Sequence, residues 1–173
     1  MVVNSSVLKW NLVKVMNEDI LDVLMFLLEN GMMDDMDPDQ DSLMATLSEA
    51  GFRNREITRA FDWLESLSAH FDAVPANTSR PSNGVRVYTD EEFEKLGTDG
   101  IGFLRHLENR GVLGSETREL VIERILALEA SYTDADDIKW VTLFVLMNLH
   151  GRDFNSNEML EAIIFGEDDA LVH

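Results

Sequence analysis

Residues 37–71 read DPDQDSLMATLSEAGFRNREITRAFDWLESLSAHF, and the punctuation of this stretch decides the fold class. Asp37-Pro38-Asp39-Gln40 combines an N-cap, a first-turn proline and a capping-box partner. The helix begun there carries Leu43, Met44 and Leu47 and stops at Ala50-Gly51, since glycine accepts the left-handed backbone that closes helices. Gly51-Phe52 forms a tight turn, and a helix over 54–71 sets Ile57, Phe61, Leu64, Leu67 and Phe71 on one stripe.

The same signals extend in both directions. Upstream, Asn17 caps a helix holding Ile20, Leu21, Val23, Leu24, Leu27 and Leu28, ended by Asn30-Gly31. Asp22 is the only polar residue from Ile20 to Leu28, so this helix is expected to be covered on most sides. Downstream, residues 72–84 (DAVPANTSRPSNG) are a loop, and Val85-Arg86-Val87-Tyr88 alternates as a short strand. Thr89-Asp90-Glu91-Glu92 is a capping box leading to Phe93 and Leu96, with Gly97 as a stop. A helix over 100–112 turns Ile101, Leu104 and Leu107 inward and closes near Gly111. Ser115 caps the next, striped by Leu120, Val121, Ile125 and Leu128. Thr133 or Asp134 caps a helix through Ile138, Trp140, Val141, Phe144, Val145 and Leu149, which is apolar nearly all round and central to its half. Asn155-Ser156-Asn157-Glu158 opens one more, before an acidic tail.

The fold class is therefore mostly α. The organisation expected is an N-terminal extension over 1–15, a winged-helix-like subdomain over 16–88, a helical subdomain over 89–165 and a tail over 166–173. The winged-helix layout rests on three helices followed by a short β-ribbon from 72–75 and 85–88.

Charge narrows the function. Fourteen Lys and Arg stand against 33 Asp and Glu, for a net charge of −19. The excess is spread along the chain, and only the first fifteen residues are basic, through Lys9 and Lys14. A surface of this sign repels the phosphates of a duplex unless a local basic patch overcomes it. A winged helix would offer Arg53, Arg55 and Arg59 on its third helix and Arg86 on the wing. Glu56, Asp62 and Glu65 neutralise that helix, so nucleic-acid contact is the alternative reading rather than the first. Arg118 and Arg124, among Glu116, Glu119, Glu123 and Glu129, read as a solvated face laced with ion pairs.

Chemistry-bearing motifs are missing. There is no cysteine, which excludes disulfides, thiolate metal sites and cysteine nucleophiles. Asp35, Asp37, Asp39 and Asp41 alternate like the opening of a calcium loop, but neither register supplies the glycine at position six or the glutamate at twelve. His70, His106, His150 and His173 fall in no metal-binding spacing. No nucleophile elbow or phosphate-binding glycine loop is present. No catalytic residue, metal or cofactor is expected. Met1–Val15 lacks a secretory pattern, and the longest apolar runs reach half or less of the roughly 20 residues that span a bilayer. A cytoplasmic location without membrane association follows as an expectation.

From Met16 onward the chain resembles the bacterial Smg protein family. The resemblance is carried by Asp22-Val23-Leu24-Met25-Phe26-Leu27, by Ala50-Gly51-Phe52 followed by Ala60-Phe61-Asp62-Trp63-Leu64-Glu65, and by Arg86-Val87-Tyr88-Thr89. Further on, Gly102-Phe103-Leu104, the run Glu116–Arg124 (ETRELVIER), Asp136-Asp137-Ile138-Lys139-Trp140-Val141 and the closing Leu171-Val172-His173 continue it in order. It implies no biochemical activity, because the family has no agreed catalytic residues. Its members are often encoded near a DNA-processing protein and a topoisomerase, which is association and not mechanism. Residues 1–15 lie outside it, as an extension or the product of an upstream start codon. The function expected is a non-enzymatic adaptor or regulator that binds a protein partner. A winged-helix nucleic-acid protein is the second class, and an enzyme with a dispersed site around His106 or His150 the third.

Overall fold

A computed structural model of the chain describes residues 20–30, 39–73, 86–129 and 133–150. These residues form six helices and no strand: α1 (Ile20–Glu29), α2 (Gln40–Glu49), α3 (Asn54–Ala73), α4 (Asp90–Asn109), α5 (Ser115–Leu126) and α6 (Ala135–His150). The fold is mostly α, as the helix punctuation requires. Two compact units divide it, Met1–Ala60 and Phe61–His173, and the division falls inside α3.

In the first unit, α1 buries Ile20, Leu21, Val23, Leu24 and Leu27. The α2–α3 turn is built as the glycine predicts. Gly51 takes φ +102, its N–H donates to the Ser48 carbonyl, and the Phe52 N–H donates to the Leu47 carbonyl. This pair of bonds satisfies carbonyls that the helix end would leave bare. Phe52 then meets Phe26 edge-on, ring centroids 5.5 Å apart. The start of α2 differs from expectation. Asp39 occupies the N-cap without a side-chain cap bond, and Gln40 is the first helical residue, too early to reach back from the third position as a capping-box partner. The Asp37-Pro38 pair, the Asn17 cap and Asp35 lie outside the described residues.

α3 begins with the Glu56 carboxylate accepting from the Arg53 backbone N–H at 3.1 Å. Its buried residues are Ile57, Ala60, Trp63 and Leu67, whereas Phe61 and Leu64 are only half-buried. The stripe is thus rotated from the one read in sequence, because Trp63 has a polar anchor in the second unit. Its indole N–H donates to the Arg124 carbonyl at 3.2 Å, and its ring meets Phe144 edge-on. Among the described residues no β-ribbon is present, and residues 74, 75 and 85 of the expected one lie outside them. Asp72 and Ala73 are the last residues of α3, and residues 86–89 lead into α4 without forming a strand. The loop centred on 74–84 lies outside the described residues.

The second unit is built around α6. Val141 to Leu146 are six consecutive buried residues, which makes α6 the central helix that its all-round apolar sequence predicts. It packs against α4 and α5, which also pack on each other. Asp134 is the cap: its carboxylate accepts from the Asp137 N–H at 2.8 Å, and Asp137 returns the bond to the Asp134 N–H. The α4 capping box of Thr89 and Glu92 is present as expected. Gly97 then breaks the helix with φ +64 and ψ 177, a backbone region essentially reserved for glycine. Gly114, not Ser115, occupies the α5 N-cap. Phe93, which follows the capping box, is more than half exposed. The helix proposed after Asn155 and the tail over 166–173 lie outside the described residues. Among the described residues, no helix is long and apolar enough to cross a membrane.

At Gly100, α4 leaves no room for a side chain against α6, since an added Cβ would collide with Ile138 Cδ1. Gly100→Ala gains roughly 1 kcal/mol of helix propensity but forces a fully buried side chain off its place, at a cost of about 1–3 kcal/mol. The expected result is net destabilisation. Ile138→Val, which removes the offending methyl, should cost less in the Gly100→Ala background than alone, by about 0.5 kcal/mol or more. Denaturant unfolding of the four proteins in this cycle checks it.

Candidate functional site

The segment 86–89 and helices α4 and α5 bring five charged side chains into one connected network. Arg86 sits in its middle. Its Nη1 and Nη2 donate to the two oxygens of Glu92 at 2.9 and 2.6 Å, and its Nε and Nη2 donate to the two oxygens of Glu119 at 2.7 and 2.8 Å. Both contacts are bidentate forks, the strongest geometry a guanidinium makes with a carboxylate. Arg118 continues the chain, donating to Glu119 through Nε and Nη2 and to Glu108 through Nη1. The Tyr88 ring lies under the Arg86 guanidinium, 4.3 Å from centroid to Cζ.

Local structure places each member. Glu92 stands at the third position of α4, where its carboxylate also accepts from the Thr89 N–H at 2.8 Å. Glu108 stands at the other end of the same helix. An unbroken helix would hold the two about 24 Å apart. The Gly97 kink bends α4 so that both carboxylates reach one chain of ion pairs on the first turns of α5. The Arg86 and Arg118 side chains are only 16% and 13% exposed, so water screens these bonds less than it would at the surface.

The electrostatics follow from the geometry. The bond from Arg86 holds the Glu92 carboxyl down at about 2, and the same guanidinium holds Glu119 below its ordinary value. Arg86 is held above its ordinary value by Glu119 and then Glu92, and burial pushes the Tyr88 phenol up. Two guanidiniums face three carboxylates, and each guanidinium is engaged on both sides. The network is a clamp that binds its own members.

The other residues singled out in sequence are placed as follows. Arg53, Arg55 and Arg59 lie at the start of α3 in the first unit. Arg53 approaches Glu56 at 3.7 Å, Arg59 is also engaged, and Arg55 is exposed. Arg86 belongs to the second unit, inside the clamp. Arg124 corrects the expectation of a solvated face: the residue is buried, and its guanidinium donates to Ser66 and Glu123, both at 2.7 Å. His106 Nε2 is buried without a hydrogen-bond partner among the described residues, and no carboxylate holds it. Among the described residues no group of three or more His, Asp or Glu is arranged to hold a metal ion.

Sequence reasoning overlooked two surface residues beside the clamp. Val87 is 85% exposed and Phe93 54% exposed. Val87 follows Arg86 and Phe93 follows Glu92, so each stands next in sequence to one member of the bonded pair. The alternation of the 86–88 segment carried the signal, since it sets Val87 opposite the stacked Arg86 and Tyr88.

A family model described as "Protein of unknown function (DUF494)" matches residues 20–173. The chain is 44% identical over 160 residues to the Protein Smg homolog of Thioalkalivibrio sulfidiphilus, covering 91% of this chain and 100% of that protein. It is 42% identical over 160 residues to the Protein Smg homolog of Nitrosococcus oceani, with the same coverage of both. For the Protein Smg homolog of Vibrio cholerae serotype O1 the identity is 37% over 158 residues, 89% of this chain and 99% of that protein. No solved structure matches the chain.

The depressed carboxyls set an acid dependence. A group whose folded value lies below its unfolded one stabilises fully above the unfolded value of 4.5 and loses that contribution as pH falls toward about 2. Wild-type stability should therefore decline between about pH 5 and pH 2. Arg86→Met should lower stability at pH 7 by about 1–3 kcal/mol, because Glu92 loses its counter-charge and Glu119 keeps only Arg118, and should flatten that acid decline. Urea unfolding at stepped pH measures both.

Proposed function

The chain belongs to the DUF494 family of bacterial Smg proteins, and from that premise we propose that it is a non-enzymatic, cytoplasmic adaptor that acts by binding another protein. The observation that carries the reading is the pair Val87 and Phe93, apolar and exposed on a segment held rigid by the Arg86 clamp. Ordering loss on binding is small where the free surface is already fixed, so such a pair can anchor a partner without first being folded by it. The described ionisable side chains of the clamp engage one another rather than converging on a vacant centre, which supports binding over catalysis.

The finer view of the first part as winged-helix-like rests on the order α1, α2, tight turn, α3. It is compatible with a protein-contact role, since that architecture serves protein as well as nucleic-acid binding. Arg86, the wing residue of the nucleic-acid alternative, has four of its donor bonds directed at carboxylates, which favours the adaptor reading.

Photo-crosslinking in the native host tests the proposal. p-Benzoylphenylalanine at position 87 or 93 should yield discrete protein adducts that the same group at exposed Ser68 does not. Absence of any protein adduct from both positions would remove the observation on which the reading stands.

A further inference from the structure

The exposed apolar pair lies in a field of one sign. Asp90, Glu91 and Glu94 are exposed in the first turns of α4, between and beside Val87 and Phe93, and none forms an ion pair with a described residue. The bases whose contacts are described on and beside the first turns of α4 are engaged elsewhere. Arg86 and Arg118 are shared among three carboxylates, which leaves the clamp itself one negative charge in excess. The buried Lys95 turns its ammonium inward to the Leu128 carbonyl. The exposed Arg105 lies beyond the Gly97 kink of α4 and forms no ion pair with a described residue.

Resting on the adaptor reading, we propose that this surface receives a basic protein segment: a stretch rich in Lys or Arg that also presents a large aliphatic or aromatic side chain. The apolar side chain packs on Val87 and Phe93, and the basic residues face Asp90, Glu91 and Glu94. Charge complementarity selects this occupant over a second copy, because two chains of net charge −19 would bring like-signed rims together. The clamp contributes by fixing the backbone between the apolar residues and by withholding its own guanidiniums, which would otherwise repel the ligand.

The test uses the full-length protein and three synthetic peptides of equal length, one of Lys and Leu, one of Glu and Leu, and one of Lys and Ser. Amide chemical shifts are followed by NMR. The Lys–Leu peptide should move signals concentrated over residues 86–94, and its affinity should fall tenfold or more with either Val87→Ser plus Phe93→Ser or Asp90→Asn plus Glu91→Gln plus Glu94→Gln. The Glu–Leu peptide should leave residues 86–94 unmoved. The Lys–Ser peptide should bind at least tenfold more weakly than Lys–Leu. All substituted side chains are exposed, and circular dichroism confirms that the variants keep the helical fold.

Shifts scattered over the whole acidic surface and insensitive to both sets of substitutions would overturn the proposal. So would equal binding of the Glu–Leu peptide, or a concentration-dependent shift of residues 86–94 without peptide, which would assign the surface to a second copy. Crosslinks from position 87 or 93 to another segment of the same chain would overturn it as well. A crosslinked partner that lacks a basic segment would defeat this inference and leave the adaptor reading standing.

Discussion

A helix buried on every side has no face to give to water, so its neighbours must arrange themselves around it. Val141 to Leu146 impose this condition on the second unit. α4 meets it by carrying a glycine at position 100, where the Ile138 side chain fills the space a Cβ would need. α3 meets it with Trp63, whose ring lies against Phe144 while its N–H reaches the Arg124 carbonyl. That carbonyl belongs to the last turn of α5, where the helix has no further N–H to offer. One side chain thus supplies both apolar cover and the missing donor.

The polar chemistry of the unit is organised around helix ends. Glu92 closes a capping box and then accepts from Arg86, so a residue that stabilises the start of α4 also anchors the segment before it. Gly97 lets the far end of the same helix join through Glu108. Asp134 and Asp137 repeat the reciprocal arrangement at α6. In each case the side chains that look reactive in isolation are directed at backbone groups or at one another. The surface left over is acidic and interrupted by Val87 and Phe93, and the proposed contact role rests on that combination.

Legibility in the sequence followed the range of the interaction. Gly51, Gly111, the Thr89–Glu92 box and the all-round apolar α6 were readable because each is decided within a few residues. The buried face of α3 was not, since Trp63 points inward only because a carbonyl some sixty positions later needs a donor. The fate of Arg86 was equally hidden: its main partners lie 6 and 33 residues away, and in a chain with this many carboxylates no spacing distinguishes the right ones. Arg124 looked like a surface base from its glutamate neighbours, yet Ser66 and the core claim it. Local rules located the helices, and the candidate site depended on contacts those rules do not reach.

Lys95 carries one last implication. Its amine is enclosed and held by the Leu128 carbonyl, while its own carbonyl accepts the Thr133 N–H, so the residue fastens both sides of the connection from α5 to α6. An acylating reagent needs that nitrogen unprotonated and within reach. Modification at this position would therefore report how often the connection lifts away, making the native lysine a built-in clock for local opening.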